Sequence, residues 1–215
     1  MTLYQQLRSA GKEMHGKALD NTKHLDFNPI RAAKRMTLPR AGRALIFADE
    51  AEQNAFFDFL LHEYRVSGKT LMESVNPATA GLTSLEAELL DAHCRAHTSL
   101  FRTEAWPSDQ HHVRLRDLLD SSREEILLTD IGLSESLSQI RAPMTLFCRL
   151  LTLRGINLTS GFNFAFKAER DLGLLQAYRQ KTKRTPLESL SEHRFVFFFQ
   201  KFRQCGEEQR SRDVA

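Results

Sequence analysis

The hydrophobic pattern changes period along the chain. Between Val113 and Phe166, apolar residues tend to alternate with polar or small ones, and turn-forming residues interrupt the run. The clearest piece is Ile156–Phe166, with large apolar residues at 156, 158, 162, 164 and 166. A period of two marks a half-buried strand, because successive side chains of an extended backbone point to opposite faces. Further strands are expected near 101–106, 113–116, 125–131 and 145–153, with Arg154-Gly155 as the hairpin turn before the best strand.

Outside this region the period is helical. Ala55, Phe56, Phe59 and Leu60 predict a helix over 49–66, with Asp49, Glu50 and Glu52 at the end where the macrodipole favours negative charge. Leu3, Leu7, Ala10 and Met14 predict one over 2–19, and Leu172, Leu175 and Tyr178 one over 168–183. Three Thr-x-x-Glu sequences, at Thr70, Thr83 and Thr185, match a capping box, in which the hydroxyl accepts from an amide three residues on and the Glu reaches back. They predict helices over 70–76, 84–101 and 186–204. The expected fold class is therefore α+β, helices around a small antiparallel sheet or partly open barrel. The expected organisation is a basic N-terminal arm over 1–43, a single domain over 44–205 and a frayed tail over 206–215.

Composition narrows the class without naming a chemistry. The chain has 215 residues, 41% of them hydrophobic and 27% charged, which fits an ordinary globular domain. Phe outnumbers Trp and Tyr together, 15 against 1 and 3, so the aromatic set serves mainly as core. No apolar run suits a membrane span and the N-terminus lacks the order of a secretion signal, so a cytoplasmic protein with no membrane partner is expected. Cys94, Cys148 and Cys205 are odd in number and far apart, which predicts buried thiols rather than a disulfide or zinc framework. The net charge of +3 is unevenly spread. Residues 1–43 hold nine Lys/Arg against three acids, and the remainder holds 21 against 24.

That imbalance supplies the main candidate contact surface, Arg31, Lys34, Arg35, Arg40 and Arg43, suited to phosphates of nucleic acid or to a protein partner. Phe195, Phe198, Phe199 and Phe202 share one helical face and form a candidate interface for self-association or a partner, with core packing as the simpler use. His93 and His97, one turn apart on the expected helix, are the metal candidates. Two imidazoles fall short of a zinc ligand set, so no metal or other cofactor is expected. His111-His112 adds little. Asp117, Asp120, Glu124, Glu125 and Asp130 read as turn charges. No Walker A, GxGxxG or GxSxG sequence is present, and Gly161 after Ser160 reads as a strand bend. No catalytic residue is expected. The reading favours a non-enzymatic binding or interaction module; a nucleic-acid-binding protein and a metal- or acid-dependent hydrolase are the alternatives.

Several short stretches carry a resemblance. They are Phe57-Asp58-Phe59-Leu60-Leu61-His62-Glu63-Tyr64, Gly68-Lys69-Thr70-Leu71-Met72-Glu73, Leu85-Glu86-Ala87-Glu88, Ser99-Leu100-Phe101 and Val113-Arg114-Leu115-Arg116-Asp117-Leu118-Leu119. Over residues 45–165 the chain resembles an uncharacterised bacterial module sometimes found in proteins with an SEC-C metal-binding motif. The resemblance implies a helix-then-sheet module of bacterial origin and no activity. The cysteine-rich SEC-C segment is absent from this sequence, so its zinc and adaptor roles are not carried over.

Overall fold

The computed structural model describes residues 2–105, 111–123, 125–140 and 142–207. The chain divides into two compact units, one formed by residues 1–97 and 150–161, the other by 98–149 and 162–215.

The first unit is built from helices. They are α1 (Leu3–Asn21), α2 (Pro29–Arg35), α3 (Glu50–His62), α4 (Leu71–Ser74) and α5 (Ser84–Cys94), with a small hairpin of β1 (Arg40–Ala41) and β2 (Ala44–Leu45). Local chemistry starts each helix. Thr2, Thr70 and Thr83 close capping boxes with Gln5, Glu73 and Glu86. Asp49 caps α3 through the Glu52 amide at 2.8 Å. Asn28 caps α2 through the amides of Ile30 and Arg31, and Pro29 fits the first turn, where its missing N–H costs no hydrogen bond. The apolar stripes of α1, α4 and α5 meet in one core through Leu7, Met14, Met72, Leu89 and Leu90, which Leu153 and Leu158 join. The segment 1–43 is thus largely helical, and α1 packs on α5.

Most of the larger sheet lies in the second unit. The strands are β3 (His97–Ala105), β4 (His112–Asp117), β5 (Ile126–Thr129), β6 (Met144–Leu153) and β7 (Ile156–Lys167), and they close a barrel in the order β3-β4-β5-β7-β6; His97 and residues 150–161 of these strands count with the first unit. Antiparallel pairing sets Phe101 opposite Asp117 and Val113 opposite Leu128. In β4, Val113, Leu115 and Asp117 are buried while Arg114 and Arg116 are exposed, the expected period of two. β6 is buried continuously from Met144 to Leu151, as a strand covered on both faces must be. α6 (Ile131–Ile140), α7 (Asp171–Thr182) and α8 (Leu190–Cys205) complete this unit. The α+β class is borne out, and the sheet closes on itself.

Three local expectations differ from the structure. The helix expected over 84–101 ends at Cys94, and residues 97–105 form β3 instead, because pairing with β4 outweighs a helical continuation. Residues 131–140 form α6 where none was expected; the Asp130 carboxylate accepts from the Leu133 amide at 3.1 Å and caps it. At the third Thr-x-x-Glu sequence no box forms. Pro186 stays extended and Ser189 N–H donates to its carbonyl at 3.1 Å, which makes a 3₁₀ turn before α8 begins at Leu190. The expected end of the first strand at Trp106, and residues 208–215 of the expected tail, lie outside the described residues. Among the described residues no helix is long and apolar enough to cross a membrane.

Candidate metal centre

Three helices of the first unit each bring one histidine to the same place. His15 comes from α1, His62 is the last residue of α3, and His93 lies in the last turn of α5. Each sits on its helix's apolar stripe: His15 three residues before Ala18, His62 three after Phe59, and His93 four after Leu89. The rings therefore turn inward. One ligating nitrogen from each lies within 4.8 Å of the others. His93 Nδ1 and His62 Nε2 are 3.3 Å apart, and their rings lie nearly parallel, 11° apart. His15 meets His93 edge-on with ring centroids 4.8 Å apart.

Burial shapes the chemistry of the cluster. His62 and His93 are 8% and 4% exposed. Burial pushes the His15 pKa below its ordinary 6.5, which favours the neutral, ligating form. His15 Nε2 is buried and has no hydrogen-bond partner. A buried polar atom left so costs about 1–3 kcal/mol. α3 and α5 both present their C-terminal ends here, where the macrodipole favours positive charge. Two Zn–N bonds of about 2.0–2.1 Å at the tetrahedral angle would set their nitrogens about 3.3–3.4 Å apart. The His62–His93 separation already matches that spacing. Bringing the third imidazole onto the same ion would close a separation of up to 4.8 Å by about 1.4 Å. Three imidazoles would leave one position open for water or another ligand. Cys94 is next in sequence, but desolvation and the carboxylates of Glu73 and Asp91 raise its pKa, so it offers a thiol rather than a thiolate.

Of the two histidines singled out in the sequence, His93 belongs to this cluster. His97 does not share a helix face with it, because α5 ends at Cys94 and His97 opens β3. His15 and His62 carry no local signal beyond being polar residues at buried helical spacing, one turn from Ala18 and Phe59. Arg31, Lys34 and Arg35 line a cleft together with Arg65, while Arg40 and Arg43 belong to the exposed β1–β2 hairpin region. Phe195, Phe198 and Phe199 are fully buried against Phe147, Phe162 and Phe164, and Phe202 is half-buried and stacked on Phe164. Asp117 accepts from Ser99 Oγ and from the amides of Leu119 and Asp120, and Asp120 accepts from Ser122 and Arg123, so both brace turns. Glu125 lies 4.0 Å from Arg114, and Glu124 is outside the described residues. His112 Nδ1 meets Thr129 Oγ1 at 3.0 Å. Ser160 Oγ donates to Asp58 at 2.5 Å, and Gly161 takes a φ of 118°, a backbone state that glycine alone adopts readily.

No curated protein and no solved structure matches the chain. One family match spans nearly all of it, and the expected tie to SEC-C proteins is not part of that match. Over residues 1–212 the chain belongs to a family of unknown function, DUF7986.

Proposed function

We propose that the protein is a metal-binding module, in which His15, His62 and His93 hold one divalent transition-metal ion of the zinc class. The observation that carries this reading is the convergence of three inward imidazoles with His15 Nε2 buried and without a partner. A core of satisfied histidines would account for the His62–His93 contact, but it leaves that nitrogen unexplained. Imidazole donors suit zinc, nickel, copper and cobalt alike, so geometry and availability decide among them. The burial of His62 and His93 favours an ion that ties helices together over one that meets substrate. This agrees with a non-enzymatic binding role. The ion would join α1 to the C-terminal ends of α3 and α5, and its binding energy would add to the stability of the helical unit.

Equilibrium dialysis with elemental analysis tests the reading. One zinc or cobalt ion per chain is expected, with cobalt giving the visible absorption of a low-coordinate site. His15→Gln and His93→Ala should each abolish stoichiometric uptake. At an ion concentration about 100 times Kd, stability should rise by about 2.7 kcal/mol and fall back on chelation. A folded protein that takes up no stoichiometric ion, or keeps it in both variants, would refute the proposal.

A further inference from the structure

We infer, on the basis of the metal-binding reading, that Asp58 is the positioning residue of the histidine centre: its carboxylate accepts the Nδ1 proton of His62 and so fixes Nε2 as the atom offered to the ion. The His62 ring directs Nε2 at His93 Nδ1, 3.3 Å away. The two nitrogens of an imidazole point in divergent directions, so Nδ1 seeks its partner elsewhere. A helical side chain leans back over the turn before it, onto the residues three and four positions earlier. For His62 these are Phe59 and Asp58, and only Leu60 and Leu61 stand between. Asp58 therefore carries the hydrogen-bonding side chain of that turn. The other two histidines have no acid at this spacing: Gly11 and Lys12 precede His15, and Leu89 and Leu90 precede His93.

The carboxylate is placed where it needs donors. Asp58 is buried, and a buried carboxylate is stable only when hydrogen-bonded or paired. Ser160 Oγ donates to its Oδ2 at 2.5 Å, from β7, and both residues belong to the first unit. A carboxylate has two oxygens and about four acceptor positions, more than one hydroxyl uses. A metal-bound imidazole nearly always donates its second N–H to a carboxylate, a backbone carbonyl or water, and that partner sets the tautomer and raises the basicity of the ligating nitrogen. Charge assistance makes the carboxylate the strongest of these acceptors. The competing acceptor is the Asp58 backbone carbonyl, on the pattern of His193, whose Nδ1 meets the Ser189 carbonyl four residues back at 2.8 Å. His193 is exposed, whereas His62 and Asp58 are both buried, and burial favours the charge-assisted bond.

Competition titration of zinc against a chromophoric chelator, on the full chain, provides the first test. Asp58→Asn keeps the shape and one accepting oxygen but removes the charge, and it should weaken zinc binding about 10–100-fold. Ser160→Ala should weaken it less, because Ser160 acts only through the carboxylate. Long-range proton–nitrogen correlation spectra of the zinc-loaded protein provide the second test. His62 should be ligated through Nε2 and carry a slowly exchanging proton on Nδ1, whose resonance moves upfield in Asp58→Asn. A merely structural role for Asp58 would leave that resonance where it is. If Asp58→Asn does not fold, the wild-type tautomer and the Ser160→Ala resonance decide in its place. Unchanged zinc affinity in Asp58→Asn, ligation of His62 through Nδ1, or an Nδ1 proton indifferent to these substitutions would overturn the inference. Any of these in a wild type that binds zinc removes only the role of Asp58, whereas a wild type that takes up no zinc refutes the histidine centre and this role together.

Discussion

Glu86 serves two partners from one buried carboxylate. It accepts from the Lys17 ammonium at 2.7 and 2.8 Å and closes the α5 capping box through the Thr83 amide at 2.6 Å. The hydrogen bond from Lys17 and then that from the Thr83 backbone hold its pKa below the ordinary 4.5. A depressed folded-state pKa means that the carboxylate's contribution is present above about pH 4.5 and is lost as pH falls through the folded value. Glu86→Gln should therefore cost about 1–2 kcal/mol at pH 7, allowing for the partial exposure of Lys17. In urea unfolding the gap between wild type and variant should narrow as pH falls from 7 to 3.5. A constant gap would mean that shape rather than charge is what Glu86 provides. At this scale half of the arrangement was legible. The Thr83–Glu86 box follows from a spacing of three, whereas Lys17 reaches Glu86 only because α1 packs on α5.

The β6–β7 hairpin shows what short-range chemistry can dictate on its own. Arg154 and Gly155 both take positive φ, 51° and 77°, as a two-residue hairpin turn with primed geometry requires. A Cβ added at Gly155 would meet nothing within 4 Å, so any penalty there comes from the backbone and not from a clash. Gly155→Ala is expected to destabilise by about 1 kcal/mol. Gly173 lies inside α7, its φ is not positive and its surroundings are equally open. Gly173→Ala should therefore stabilise by about 0.5–1 kcal/mol. Opposite signs in denaturant unfolding would confirm that conformation decides both; two losses of equal size would contradict it. The turn and the boxes at Thr70 and Thr83 could be read from sequence because their partners lie within a few residues. The end of the expected 84–101 helix could not, since β3 exists by virtue of its pairing with β4.

In the molecule as a whole, the Phe-rich composition finds its use in the second unit. Phe147 on β6 meets Phe162 and Phe164 on β7 and Phe195 and Phe198 on α8, with centroids 4.5–6.1 Å apart. Phe198→Ala should cost about 3–5 kcal/mol, because one vacated ring leaves a void that its rigid neighbours cannot fill. Phe202→Ala, at a half-buried position, should cost distinctly less. Equal losses in thermal or denaturant unfolding would show that the α8 stripe is not graded by burial. By itself the sequence determined the periods of its helices and strands, the capped starts at Thr70 and Thr83, the Arg154-Gly155 turn and the excess of basic residues near the N-terminus. These rest on interactions spanning a few residues, or on composition. Only the tertiary structure decided that the strands close a ring, that the cleft gathers Arg65 with Arg31, Lys34 and Arg35, and that His15, His62 and His93 meet. His62 and His93 lie 31 residues apart in the chain and 3.3 Å apart in space. No local pattern encodes that distance, because it is set by how the buried faces of three helices, each carrying one imidazole, pack together.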